Sequence, residues 1–307
     1  MYPARTPATG RGLSADVGLH VAPQRPAPTG QRDGPAIGLV RACHLQPTLA
    51  VVAVTTSLAV LAGRGPAGCV AVALAVLAGQ LSTGWSNDWF DAARDRAVGR
   101  VDKPIVAGDV SVGAVRAAAC TALVAAVPLS LLSGWRAALV RLVALGSAWA
   151  YNLGLKATVI SPLPYALSFG LLPAFVTLGL PGHPWPRPAL MVATALLGVG
   201  AHFVNTLADR EDDARSGIAG LPQRMSARGA LFTGVALLTS CAVTIWFLGG
   251  SARAAQSVLL VVTLGAAALV VATSVRSRPR AAWSWTLVTV LGCLAMFAVS
   301  RPSLVSG

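Results

Sequence analysis

The chain has 307 residues, 55% hydrophobic and 11% charged, with a mean hydropathy of +0.67. Soluble domains carry about 25% charged residues, so this composition excludes an ordinary soluble protein and points to a polytopic membrane protein. The net charge of +13 reads as basic loops on one membrane face rather than a polyanion-binding surface, and no nucleic-acid partner is expected.

Residues 1–36 are rich in Pro, Gly and Arg and lack an apolar run, which predicts a disordered cytoplasmic tail ahead of a membrane domain over 37–307. Nine apolar segments follow, at 43–63, 66–85, 113–133, 136–151, 163–182, 188–208, 228–249, 254–275 and 282–300. Each is near the length that crosses about 30 Å of hydrocarbon, so the expected fold is all-α, a bundle of nine transmembrane helices. With the N-terminus in the cytoplasm, 18 of the 24 basic residues fall inside and 6 outside, which also puts the C-terminus outside. Arg141 falls within the fourth segment and is expected to snorkel outward or to mark a shifted boundary. The five cysteines are dispersed, mostly in apolar runs, and have neither metal-ligand spacing nor an even count for a disulfide framework.

Acidic residues are far more concentrated. Outside the tail they occur in two places only, Asp88 to Asp109 and Asp209 to Asp213. Each cluster follows an even-numbered segment, so both are expected as Asp-rich loops on the cytoplasmic side. The first reads Asn87-Asp88-Trp89-Phe90-Asp91-Ala92-Ala93-Arg94-Asp95, then Gly99, Lys103 and Pro104. The second reads Asn205-Thr206-Leu207-Ala208-Asp209-Arg210-Glu211-Asp212-Asp213, then Gly217, Leu221 and Pro222. At an offset of 118 they share Asn, Asp, Asp and Gly at four-residue steps and the same Pro, an internal repeat of a site.

Four-residue steps place Asn87, Asp91 and Asp95 on one helix face, and likewise Asn205, Asp209 and Asp213. Like charges at that spacing repel unless a cation lies between them. Oxygen donors without His or Cys suit Mg²⁺ or Ca²⁺ rather than Zn²⁺. Mg²⁺ commonly takes one or two carboxylates and completes its shell with waters and substrate phosphates.

The first motif, with Lys103-Pro104-Ile105 and Gly108 downstream, resembles the first signature of the UbiA superfamily of intramembrane prenyltransferases. Asp209-x-x-x-Asp213-x-x-x-Gly217 with Leu221-Pro222 resembles the second. The resemblance runs from about Arg41 to the C-terminus. It implies Mg²⁺-dependent transfer of a prenyl group from an isoprenyl diphosphate to a lipophilic or aromatic acceptor, in contact with membrane lipid, in a bacterial-type plasma membrane. It further implies Mg²⁺ ligation by Asp91, Asp95, Asp209 and Asp213, with Asp88 in the same signature. Asn87, Asn205, Tyr151, Lys156 and Arg41 would bind the diphosphate, with Lys156 also assisting its departure.

Two other readings stay open on the residues alone. A terpene cyclase would ionise the same diphosphate through the same motifs. A transporter also shows repeats and buried polar groups, although its charges would gather at mid-membrane. Trp85, Trp89, Phe90 and Trp149 near the motif level can face a cation or form an interfacial belt. His202, three residues before Asn205, is a further candidate for substrate contact.

Overall fold

The computed structural model describes residues 34–249, 252–276, 278–300 and Val305. The expected tail therefore lies, up to residue 33, outside the described residues, and helix begins at Pro35. Among the described residues there is no strand, only an isolated bridge between Pro186 and Val305.

The first half of the bundle comprises α1 (Pro35–Ala42), α2 (Leu45–Leu61), α3 (Pro66–Ala97), the short α4 (Pro104–Ala107), α5 (Val112–Leu131) and α6 (Trp135–Leu153). A 3₁₀ turn over Leu155–Ala157 leads into α7 (Pro162–Gly170) and α8 (Leu172–Thr177). The second half comprises α9 (Pro188–Asn205), the short α10 (Arg210–Ser216) and α11 (Leu221–Arg224), then α12 (Ala227–Leu248), α13 (Arg253–Val275) and α14 (Pro279–Ser300). Proline opens many of these helices at a position where its missing N–H costs nothing.

Every one of the nine apolar segments is helical, but the expected count of nine crossings is not what length and composition give. Six helices, α3, α5, α9, α12, α13 and α14, are long and apolar enough to span a membrane. A seventh span results if α1 and α2, bent by 58° at their junction, are taken together. α6 carries Arg136 and Arg141, and the segment at 163–182 is broken into α7 and α8.

α3 packs against α2, α5 and α6, while α9 packs against α7 and α12. The main core, including Val72, Val76, Phe175, Leu238 and Met296, runs between these helices. α9 and α12 approach closely at Gly200 and Gly234, where an added Cβ would meet the facing carbonyl at 3.0 and 3.2 Å. Small residues serve in this way wherever apolar helices associate without a solvent-driven force. A second cluster of Ala42, Ala92, Ile105, Val110 and Val115 packs the end of α3 on α1, α4 and α5.

The acidic motifs are not loops of one kind. Asn87, Asp91 and Asp95 all lie within α3, which continues twelve residues past the expected end of its span. Asn205, Asp209 and Asp213 do not share one helix: α9 ends at Asn205, Asp209 sits in the turn, and Asp213 belongs to α10. The repeat nevertheless survives in backbone form. Gly99 and Gly217 both take the left-handed conformation (φ 72° and 75°) that stops the motif helix, and Pro104 and Pro222 both lie at the start of a four-residue helix, as its first and second residue.

Candidate active site

The site is built around Lys156, on the 3₁₀ turn that follows α6. Its ammonium donates to both carboxylate oxygens of Asp91 at 2.5 Å, with the lysine side chain 5% and the aspartate 12% exposed. Arg94, one turn along α3, donates to the same carboxylate at 2.7 Å. Burial pulls the Lys156 ammonium below its ordinary range, and Asp91 only partly offsets this.

The second motif reaches the same place. Asp213 is pushed up by burial and by the charges of Asp209 and Asp91, while a hydrogen bond from Gln223 and the charge of Lys156 pull it down. Asp91 and Asp213 therefore share one electrostatic environment although 122 residues separate them. Arg100, in the turn after α3, ties the motifs further, lying 3.5 Å from Asp209 and 3.2 Å from Asp212. The same guanidinium makes two hydrogen bonds to Asp102, which holds Asp102 below the usual carboxylate range and raises Arg100.

The remaining expected residues are placed in different ways. Asn87 joins the site through Asn152, donating to its side-chain oxygen at 3.2 Å; Asn152 in turn donates to Ser86 and to the Thr83 carbonyl. Tyr151, on the last turn of α6, packs edge-on to Tyr165 and His202. Asp88 and Arg41 stand apart from Lys156. The Asp88 carboxylate, 2% exposed, is taken by Lys103 at 2.7 Å and His44 at 3.0 Å. Burial opposes the charge on Lys103, but Asp88 and Asp95 outweigh it and raise the lysine. Arg41 bonds the Asp109 carboxylate and the Asp102 carbonyl. Asn205 is exposed at the end of α9.

Asp95 accepts no side-chain hydrogen bond and joins no ion pair among the described residues. Also among the described residues, no three acidic, His or Cys side chains gather closely enough to hold a cation alone. That fits a divalent ion held by one or two carboxylates and completed by ligand oxygens, as Mg²⁺ is in phosphate-binding sites. The fit is electrostatic as well. Asp91 and Asp95 occupy the C-terminal turns of α3, where the helix dipole already places partial negative charge, so an added cation relieves both repulsions.

Sequence reasoning missed most of the aromatic wall. Tyr165 stacks on His202 at 4.4 Å between centroids and lies near parallel to Phe169. His202 is 1% exposed and faces Ser161, which also receives the Leu221 N–H. Only the 3.6-residue spacing of Tyr165 and Phe169 on one face of α7 hinted at this. On the α3 side, Trp89 and Phe90 stack at 4.5 Å and meet Trp149 edge-on. The Trp149 N–H is spent on Ser82.

Known proteins resemble this chain in family and in fold. The model of the UbiA prenyltransferase family matches residues 48–300. A search of curated proteins found no match. Among solved structures, a UbiA homolog from Aeropyrum pernix K1 superposes with a TM-score of 0.66 at 19% identity, over 82% of this chain and 97% of that one. A UbiA homolog from Archaeoglobus fulgidus, bound to GPP and Mg²⁺, gives 0.62 at 17% identity, over 85% and 100%. A digeranylgeranylglyceryl phosphate synthase structure gives 0.61 at 16% identity, over 87% and 98%. A polytopic membrane protein with matched acidic motifs around one lysine, this chain belongs to the UbiA prenyltransferase family.

Proposed function

We propose that the protein transfers a prenyl group from an isoprenyl diphosphate to a lipophilic or aromatic acceptor within the membrane, in a Mg²⁺-dependent reaction. The observation that carries this reading is the approach of the two acidic motifs: Lys156 pairs with Asp91 of the first, and Arg100, just past it, lies 3.5 Å from Asp209 and 3.2 Å from Asp212 of the second. Two like-charged clusters held together by buried and half-buried cations make sense when a polyanion and its counter-ions complete the site.

In this reading two pairs, Asp91 with Asp95 and Asp209 with Asp213, would each hold one Mg²⁺ ion, and Asp88 stays with Lys103 and His44 as a support for the end of α3. Bound Mg²⁺ would supply charge stabilisation for the departing diphosphate. Lys156, beside Asp91, would donate hydrogen bonds to the leaving oxygens. Asn87 is kept in position by Asn152, and Tyr151 is the further expected diphosphate contact, while Arg41 stays with Asp109 and the Asp102 carbonyl. The C1–O bond of the donor breaks with its electron pair leaving on diphosphate. C1 then bonds to a nucleophilic atom of the acceptor, whose proton is lost to solvent or diphosphate. The wall of Tyr165, Phe169 and His202 beside Tyr151 offers ring faces to the allylic cation and keeps water from it.

The test is diphosphate release from geranyl, farnesyl and geranylgeranyl diphosphates by purified protein, with products identified. Release is expected with Mg²⁺, none with chelator, and about 10³-fold less from Asp91→Asn. Release that ignores the metal would refute the assignment. A cyclised product formed without an acceptor would move the protein to a cyclase on the same scaffold.

A further inference from the structure

Gly220 stands just ahead of α11, and its backbone angles (φ −68°, ψ 175°) are open to any residue. The glycine is needed for closeness instead. An added Cβ would meet the Lys156 carbonyl oxygen at 2.5 Å and the Ser161 hydroxyl oxygen at 2.8 Å. The backbone that follows the second acidic motif therefore rests directly on the turn that carries Lys156.

The contact is fastened from both sides. The Leu221 N–H donates to the Ser161 hydroxyl at 3.1 Å, and Ser161 closes the Lys156 turn by donating its own N–H to the Thr158 carbonyl at 3.1 Å. Ser161 is fully buried, and His202 Nε2, 3.3 Å from its hydroxyl, fixes the rotor. The imidazole is itself held by stacking on Tyr165. From this seat the path to the acidic groups is short. Gln223 of α11 donates to the Asp213 carboxylate at 2.8 Å. Arg210, beside Asp209, donates to the carbonyls of Pro222, Gln223 and Met225. α10 has no buried residue, so its own packing does little to set where Asp213 stands.

We infer that Ser161 and Gly220 are positioning residues of the reaction: they seat the second acidic motif on the Lys156 turn, so that Asp209 and Asp213 wait at a fixed place relative to the lysine. A seven-residue helix is too short to be stable alone, so without a seat the ligand would have to order it on binding. Such ordering lowers the apparent affinity by the fraction of molecules already competent. Loss of the Ser161 hydroxyl strands the Leu221 N–H, and a side chain at Gly220 forces the loop off the Lys156 carbonyl. The role in the reaction rests on the prenyl-transfer reading; the seat itself does not.

The full chain in detergent is compared as wild type, Ser161→Ala and Gly220→Ala. Both variants are expected to raise the KM for the prenyl diphosphate turned over fastest, and the half-saturating Mg²⁺, by about tenfold. Their kcat should stay within about twofold of wild type, because the loop is competent once the ligand has ordered it. A second readout needs no turnover. Mg²⁺ with methylenediphosphonate should slow amide exchange over residues 210–224 in wild type, and each variant should need about tenfold more of the pair for the same slowing. A lowered unfolding midpoint with KM, Mg²⁺ demand and exchange unchanged would reduce the seat to a packing contact and overturn the inference. So would a fall in kcat at constant KM. Failure of the prenyl-transfer reading would show separately, as absent diphosphate release by wild type with the exchange response and its dependence on Ser161 retained.

Discussion

Asp91 and Asp209 hold equivalent places in the two motifs, and the backbone beneath them differs at every level. Asp91 belongs to a continuous 32-residue helix and is buried under Lys156 and Arg94. Asp209 sits in a turn, its side chain 46% exposed, ahead of a seven-residue helix with no buried residue. The dipoles also run in opposite senses. α3 presents its negative end to Asp91 and Asp95, whereas α10 takes Glu211, Asp212 and Asp213 into its first turn, where negative charge is favoured by about 0.3–1 kcal/mol each. The first motif is a fixed acidic platform that needs cations to exist, and the second is a short acidic segment that is stable without them. A site that closes on its ligand is expected to move the second against the first.

The comparison breaks most visibly at the paired carboxylates. Asp91→Asn and Asp213→Asn are each expected to cut diphosphate release by about 10³-fold, in the range found when an electrostatic stabiliser is lost. Only Asp91→Asn should also lower the unfolding midpoint, by several degrees, because it strands Lys156 without its partner. Equal midpoints for the two variants would erase the distinction between platform and segment.

Lys156→Met comes next, with a loss of about 10²-fold in turnover measured at saturating donor and Mg²⁺. If turnover stayed near wild type, the lysine would be a support for Asp91 and nothing more. Arg100→Ala removes the tie between the turn after α3 and the second motif. It should raise the KM for donor by about tenfold while moving the midpoint little, since half-exposed ion pairs contribute only about 0–1 kcal/mol. A fall in kcat at constant KM would place Arg100 in the chemical step instead.

The smallest effect is one of pH. Hydrogen bonds from Arg100 lower the folded-state value of Asp102, so this group adds stability above its unfolded value and loses it as pH falls through the folded one. Acidification below about pH 4 should therefore cost wild type about 1–2 °C more than Asp102→Asn, a margin kept small by solvent screening. Identical acid limbs for the two proteins would remove Asp102 from the tie.

Much of this was legible because charge is so scarce in the chain. With carboxylates in only two stretches outside the tail, the four-residue steps and the shared Gly and Pro identified the repeat, and the left-handed glycines and short proline-led helices confirm it. Helix positions followed from apolar runs. Crossings did not, because the run at 163–182 reads as one segment while its backbone breaks at Leu171. The break of α9 at Asn205 was hidden for the same reason: the helical period carries through Thr206-Leu207-Ala208 even where the chain turns. Arg141, buried rather than turned outward, was misplaced because hydropathy records that an arginine costs energy but not which way it points. Asp88 shares the signature with Asp91 but not its helix face, and only packing shows His44 and Lys103 claiming it.

The length of α3 carries one last consequence. Thirty-two residues make a rod of about 48 Å, against about 30 Å of hydrocarbon, so α3 is long enough both to cross the oily layer and to carry its acidic turns beyond it. An amphiphile with a charged head and an isoprenoid tail rests in a bilayer in that posture, head at the surface and tail below. A protein built to this measure meets such a molecule as it already lies. With the proposed donor it would have neither to drag phosphate into oil nor to lift the tail into water.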